Sequence, residues 1–221
     1  MLEKMADFFE NRIDGYDEHM LNEIDHAKIF YPFTASCLPC GENIRILDLG
    51  CGTGLELEFY FDLSCNSYVC GIDLSQKMLE KLKAKFADKN IKLVQGSYFD
   101  IPFENDFDAA VSVESLHHFT KDEKVPLYKK LHAALKSDGY FVLTDYFAAD
   151  EDQEKLFRSE LLRLRKEQGI SDSNFYHYDT PLTVAHEIEA LKEAGFSRIE
   201  ILDSWGQTST LKAFKCSVLY K

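Results

Sequence analysis

Residues 48–54 read Asp48-Leu49-Gly50-Cys51-Gly52-Thr53-Gly54, directly after the apolar run Ile44–Leu47. A buried strand that ends in a glycine-rich turn and opens a helix restricts the fold strongly. Glycine lacks a Cβ, so the turn can take left-handed backbone angles and a ligand can approach its main chain closely. The spacing limits the ligand. A dinucleotide fingerprint places glycines as G-x-G-x-x-G, the third packing helix against strand. Counted from Gly50, that third position is Leu55. A nicotinamide-dependent oxidoreductase is therefore disfavoured, and the pattern is an acid followed by G-x-G-x-G.

Downstream, strand-like and helix-like segments alternate. Strands are predicted at Ile44–Leu49, Ser67–Asp73, Ile91–Gly96, Phe107–Val113 and Tyr140–Asp145, and helices at 54–62, 76–87 and 121–136. Ser75 is a candidate N-cap, and Met78, Leu79, Leu82 and Phe86 share one helix face. Phe107–Val113 is nearly continuously apolar, as in parallel strands buried on both faces. Ser137-Asp138-Gly139 reads as a helix stop. This rhythm predicts an α/β, doubly wound, mostly parallel sheet. Two segments stand outside it. Residues 1–40 are helical in pattern (Met5, Phe8, Phe9, Ile13, Tyr16) and are expected to form a lid. Residues 147–182 hold a helix at 151–168 and an irregular run, and are expected to form a cap. A helix at 183–194 and strands at Ile199–Leu202 and Leu211–Leu219 complete a single domain over 1–221.

Composition narrows the partners. The 221 residues carry a net charge of −13, against the basic footprint that phosphate binding requires. The basic clusters at Lys77–Lys89 and Arg158–Lys166 are interleaved with acids and read as solvated helix faces. Neither nucleic acid nor an anionic membrane is an expected partner. No apolar run approaches the ~20 residues that span a bilayer, and the acidic start Met1–Asp7 is unlike a signal peptide; a cytoplasmic location is expected. Cys37-x-x-Cys40 has no second pair to complete a zinc site, so no metal is expected. Cys51, Cys65, Cys70 and Cys216 read as small buried hydrophobes without disulfides.

The 48–54 pattern matches every fixed position of D/E-x-G-x-G-x-G and resembles motif I of the class I S-adenosylmethionine-dependent methyltransferases. The resemblance covers nearly all of 44–145 and, more loosely, the tail. It implies seven strands in the order 3-2-1-4-5-7-6, strand 7 antiparallel, with S-adenosyl-L-methionine as cofactor and S-adenosyl-L-homocysteine as product. Asp48, Gly50, Cys51, Gly52 and Gly54 then form the loop around the methionine moiety, Asp48 on the ammonium side. Asp73 lies 23 residues beyond Gly50, where the family holds both ribose hydroxyls on one carboxylate. Leu74 lies beside the adenine. Ser97 replaces the family's adenine-binding Asp in Gly96-Ser97-Tyr98, and Tyr98 lies against the ring. Val113 lines the cofactor near its sulfur. The Tyr16-Asp17 pair resembles one that folds over the methionine end.

His117 and His118, in a Leu-His-His segment that resembles small-molecule methyltransferases, are the candidate general bases. If the segment is helical, the two cannot both face one pocket; the alternative to a catalytic role is that one caps the helix and the other is core. Phe175–Asp179, Tyr146, Phe147 and Trp205 are candidates for the acceptor side. The implied activity is methyl transfer to a small molecule at O, N or C by in-line displacement. The alternatives are a non-catalytic S-adenosylmethionine-binding scaffold, or a methyltransferase with a protein or RNA acceptor.

Overall fold

The computed structural model describes residues 1–63, 67–172 and 174–216. Its strands are β1 (Arg45–Leu49), β2 (Tyr68–Asp73), β3 (Ile91–Gln95), β4 (Phe107–Val113), β5 (Leu135–Tyr146), β6 (Arg198–Trp205) and β7 (Thr208–Phe214). They form one sheet in the order β3-β2-β1-β4-β5-β7-β6. β1 to β5 pair in parallel, and β7 runs antiparallel to β5 and β6. This is the expected topology.

The near-continuous apolar strands are explained by burial on both faces. Ile46, Ala109, Val111 and Val142 belong to one apolar cluster, and their neighbours Leu47, Leu49, Ala110, Phe141 and Leu143 to the other. Side chains alternate across a strand, so each central strand needs apolar residues at every position. The ends of β1, β2, β4 and β5 consequently emerge together along one edge, where an open α/β sheet binds ligands.

The helices are α1 (Met5–Asn11), α2 (Tyr16–Glu23), α3 (Ala27–Ser36), α4 (Leu55–Leu63), α5 (Gln76–Lys85), α6 (Lys121–Ala134), α7 (Glu151–Glu167) and α8 (Val184–Glu193). Ser75 caps α5 as expected, its Oγ accepting from Met78 N–H at 3.2 Å. The amino-terminal segment is three helices broken at Gly15 and His26, both at positive φ.

Two boundaries differ from expectation. α6 stops at Ala134, because Leu135 must enter the core beside Phe107, its strand partner, and is 3% exposed. Ser137-Asp138-Gly139 is therefore an irregularity inside β5 and not a helix stop. A Cβ on Gly139 would meet the Lys136 and Phe107 carbonyls at 3.1 Å. The last hairpin is longer than expected and turns at Gly206-Gln207. Its polar residues hid it. The hydroxyls of Thr210, Thr144 and Thr34 bond in series at 2.8 and 2.5 Å, so polar groups are satisfied where an apolar run was sought. Residues 217–219 of the expected final strand lie outside the described residues, as does Cys65. Cys51 and Cys70 are buried as expected, whereas Cys216 is exposed.

Candidate active site

The glycine turn sits at the carboxyl end of β1. Gly50, Gly52 and Gly54 have φ of +75°, +49° and +74°, a region other residues enter at about 1–2 kcal/mol. They serve different neighbours. A Cβ on Gly50 would lie 2.1 Å from Ser115 Oγ, and one on Gly54 3.0 Å from the Phe86 ring of the next helical segment. A Cβ on Gly52 would meet nothing within 4 Å. Gly52 is the glycine that faces open space.

A narrow cleft of about 40 Å³ lies against this turn. Gly50, Gly52, Asp73, Leu74, Tyr98 and Val113 line it together with Tyr16 of the lid. These seven of the expected cofactor residues are brought together. Asp73 accepts from Gly52 N–H at 2.9 Å and Ser75 N–H at 2.8 Å. Burial outweighs these bonds and raises its carboxyl to about 6. Tyr98 donates toward Ser115 O at 3.3 Å.

The other four stand back. Asp48 and Glu56 are buried side by side on β1 and α4, each with one carboxylate oxygen unpartnered. Desolvation, then each other's charge, raises Asp48 well above the usual carboxylate range. Cys51 points under β2, its Sγ 2.8 Å from where a Gly71 Cβ would lie. Gly54 packs on Leu82 and Phe86. The Ser97 hydroxyl accepts from Phe99 N–H at 3.2 Å, closing its own turn.

Residues 1–40 and 147–182, expected to form a lid and a cap, meet over this edge. Asp17 accepts from Thr53 Oγ1 at 2.6 Å and lies 2.9 Å from both Lys81 and Lys85. Glu10 accepts from Ser75 Oγ at 2.7 Å. The start of the chain joins the cap through Met5 N–H to Phe175 O and His177 N–H to Glu3 O. His177 stacks on Phe8 with ring centroids 3.4 Å apart.

Under the lid and cap is a second cavity of about 900 Å³. His117 and His118 both line it. The segment 114–120 is a turn, since α6 begins only at Lys121, so the helical rule that separates neighbouring side chains does not apply. Glu114 opens the turn at φ +48°, and Thr180 N–H clamps His117 O at 2.8 Å. Tyr146 and Trp205 line the cavity as expected. Phe147 does not: it is 2% exposed, within the core.

The two histidines are shifted in opposite directions. His117 Nδ1 donates to Asp145 Oδ1 at 2.6 Å, and Asp145 also accepts from Leu116 and Tyr146 N–H. Burial disfavours the imidazolium, yet Asp145 outweighs it and lifts His117 to about 9. His118 is buried with a lowered pKa, from desolvation and then from the His117 charge. Its Nδ1 lies 3.1 Å from Asp179 Oδ1 without hydrogen-bond alignment. Burial raises Glu114 to about 8. For Asp179, burial is outweighed by contact with His118 and the nearby His117 charge, which hold it at about 2.

Phe9, Tyr16, Glu114 and His118 line both the cleft and the large cavity. His117 lines only the cavity. Sequence reasoning did not single out the side chains of Glu114, Glu56 or Asp145. A signal existed for two of them: Glu114 and Asp145 are acids at strand ends, like Asp73. Donor atoms of His117, His118 and Asp179, and of Glu114, His117 and Asp145, lie within 4.8 Å of one another, as metal ligands could. No such group among the described residues includes Cys37 or Cys40.

Residues 46–139 match a family model described as a methyltransferase domain. A carboxy-S-adenosyl-L-methionine synthase of Nautilia profundicola is 24% identical over 229 residues, covering 96% of this chain and 93% of that protein. The DhpI-SAH complex has a TM-score of 0.69 at 18% identity, covering 94% of this chain and 93% of that one. The cyclopropane synthase MmaA2 of Mycobacterium tuberculosis has a TM-score of 0.68 at 16% identity, covering 90% and 78%. At these identities the structures speak for the fold, which is that of the methyltransferases they come from, and the family model speaks for the chemistry: residues 46–139 form a methyltransferase domain.

Proposed function

We propose that this protein transfers the methyl group to a small molecule held in the 900 Å³ cavity. The observation that carries the reading is the shared wall. Phe9, Tyr16, Glu114 and His118 border both the cleft at the glycine turn and the cavity beyond it, and a methyl group passing between the two crosses there. A cavity of this size suits a small acceptor. A scaffold has no need of it, and the net charge of −13 opposes RNA.

Asp73 and Gly52 hold the nucleoside, Asp73 accepting from its ribose. Tyr98 and Leu74 flank the base. Displacement at the methyl carbon neutralises the sulfonium as sulfur becomes a thioether, so the protein's main task is alignment and exclusion of water. His118, neutral and on the shared wall, accepts a proton where the acceptor must lose one. His117, fixed as a cation by Asp145, supports that geometry from the cavity side.

The relatives named carboxy-S-adenosyl-L-methionine synthase raise a second reading, in which the cofactor gains a carboxylate. Among the described residues that line the cleft none is Lys or Arg, and the cations of the adjoining cavity, Arg12 and His117, are already paired with Glu3 and Asp145. Methyl transfer is favoured for that reason. The test is a metabolite extract incubated with protein and methyl-labelled cofactor. Label in a small molecule supports the proposal, and label only in protein or RNA refutes it. Conversion of the cofactor to its carboxylated form, read by mass, favours the second reading.

A further inference from the structure

The polar floor of the large cavity carries more negative charge than its own cations neutralise. His117 is the buried cation there, and Asp145 already takes its Nδ1 at 2.6 Å. Asp179 stands 3.6 Å from His117 Nε2 and 3.1 Å from His118 Nδ1. His118 is only 4% exposed and makes no aligned hydrogen bond through that nitrogen. Asp179 itself is 45% exposed, toward the cavity it lines. Arg12 is the single Lys or Arg among the described residues around the cavity. It is held by Glu3 at 3.2 Å and lies over the Phe8 ring at 3.6 Å. The surrounding wall is aromatic, with Phe9, Tyr146 and Trp205. A carboxylate beside aromatic rings is a seat for an organic cation, which gains both an ion pair and contact with ring faces.

Resting on the reading of this cavity as the acceptor site, we propose that the acceptor is an amine bound as its ammonium ion by Asp179, and that methylation occurs on its nitrogen. The placement serves the reaction. Asp179 lines the cavity, His118 lies beside it, and His118 also borders the cofactor cleft. An ammonium on Asp179 is thus next to a neutral imidazole on the path to the methyl group. The ammonium gives one proton to His118. The freed nitrogen lone pair forms the bond to the methyl carbon while the carbon–sulfur pair returns to sulfur. The products are the methylated ammonium, S-adenosylhomocysteine and a proton, which His118 passes to solvent.

The test uses the full chain saturated with S-adenosylhomocysteine, so that binding is read without turnover. Phenethylamine, 2-phenylethanol and phenylacetate share an aromatic body and differ in the head group. In calorimetry the amine should bind at least tenfold more tightly than either of the others. Asp179→Asn should remove that preference while leaving S-adenosylhomocysteine affinity as in the wild type, which also reports that the variant is folded. Asp179→Glu should restore part of the preference. Equal binding of amine and alcohol, or an amine preference that survives Asp179→Asn, overturns the proposal. So does amine binding that requires added Zn²⁺ or disappears with EDTA, since a metal on His117, His118 and Asp179 would then be the cation. Failure of the wild type to bind S-adenosylhomocysteine instead refutes the underlying reading of the site.

Discussion

Substituting alanine at Gly50 and at Gly52 separates folding from ligand binding within one turn. Both glycines have left-handed φ, +75° and +49°, so each variant bears a backbone cost of about 1–2 kcal/mol. Gly50→Ala adds a clash: its Cβ would lie 2.1 Å from Ser115 Oγ and 2.7 Å from Ser115 Cβ. Relieving that overlap costs about 1–3 kcal/mol more, so Gly50→Ala should destabilise by about 2–5 kcal/mol in total. Gly52→Ala meets nothing within 4 Å, and part of its backbone cost is offset because alanine also restricts the unfolded chain, by about 0.4–1 kcal/mol. Its unfolding free energy should fall by only about 1 kcal/mol. Its methyl group, however, projects into the cleft proposed to hold the cofactor, and a steric intrusion there should weaken S-adenosylmethionine by more than about tenfold, or 1.4 kcal/mol. Urea denaturation gives the first quantity for each variant and calorimetry the second. A Gly52→Ala protein that stays within 1 kcal/mol of wild-type stability and binds the cofactor with wild-type affinity would refute the placement of the nucleoside on this turn.

Other consequences are as specific. Burial raises Asp73 to about 6 while the ribose contact requires its ionised form, so cofactor affinity should be full above pH 6, decline as pH falls through that value, and lose this dependence in Asp73→Asn. The same shift has the opposite sign for folding: Asp73 favours the cofactor-free fold below its unfolded value of about 4, a contribution lost as pH rises through about 6, which unfolding midpoints across that range would register. Lys124 and Glu187, 1% and 0% exposed, pair at 2.6 Å, and Tyr128 donates to the same carboxylate. Lys124→Met strands a buried carboxylate and should cost about 3–5 kcal/mol, with Glu187→Gln added to it recovering part of the loss in denaturation. His118→Ala should lower kcat by about 10²–10⁴-fold with cofactor affinity within a few-fold of wild type; unchanged kcat on the identified acceptor would remove it from proton transfer. Asp17→Ala, which frees Lys81, Lys85 and Thr53 from the lid, should speed both binding and release of cofactor in stopped-flow measurements.

What could be read from the chain alone has a physical boundary. The sheet was legible because strands buried on both faces need apolar residues at each position, as in Phe107–Val113, and because a turn at Gly50–Gly54 punctuates the first of them. Asp73 was legible for the same local reason, as an acid at the end of a strand that follows the turn. The β6–β7 hairpin was only half legible, since Thr34, Thr144 and Thr210 satisfy one another across more than 60 residues of sequence and no window along the chain contains all three. The choice between His117 and His118 was not legible at all. It depends on a turn opened by a non-glycine residue, Glu114 at φ +48°, for which no local signal exists, and on Asp145 and Asp179, which arrive 28 and 62 residues after His117. Local composition names the residue types able to move a proton. Their shifts follow from surroundings that only the tertiary fold supplies: Asp145 raises His117, burial and then the His117 charge lower His118, and Asp179 stands beside the His118 ring. The division of labour proposed for two adjacent and chemically identical side chains is thus a property of the sheet edge on which they meet, and exchanging the proposed roles would require moving Asp145 rather than altering either histidine.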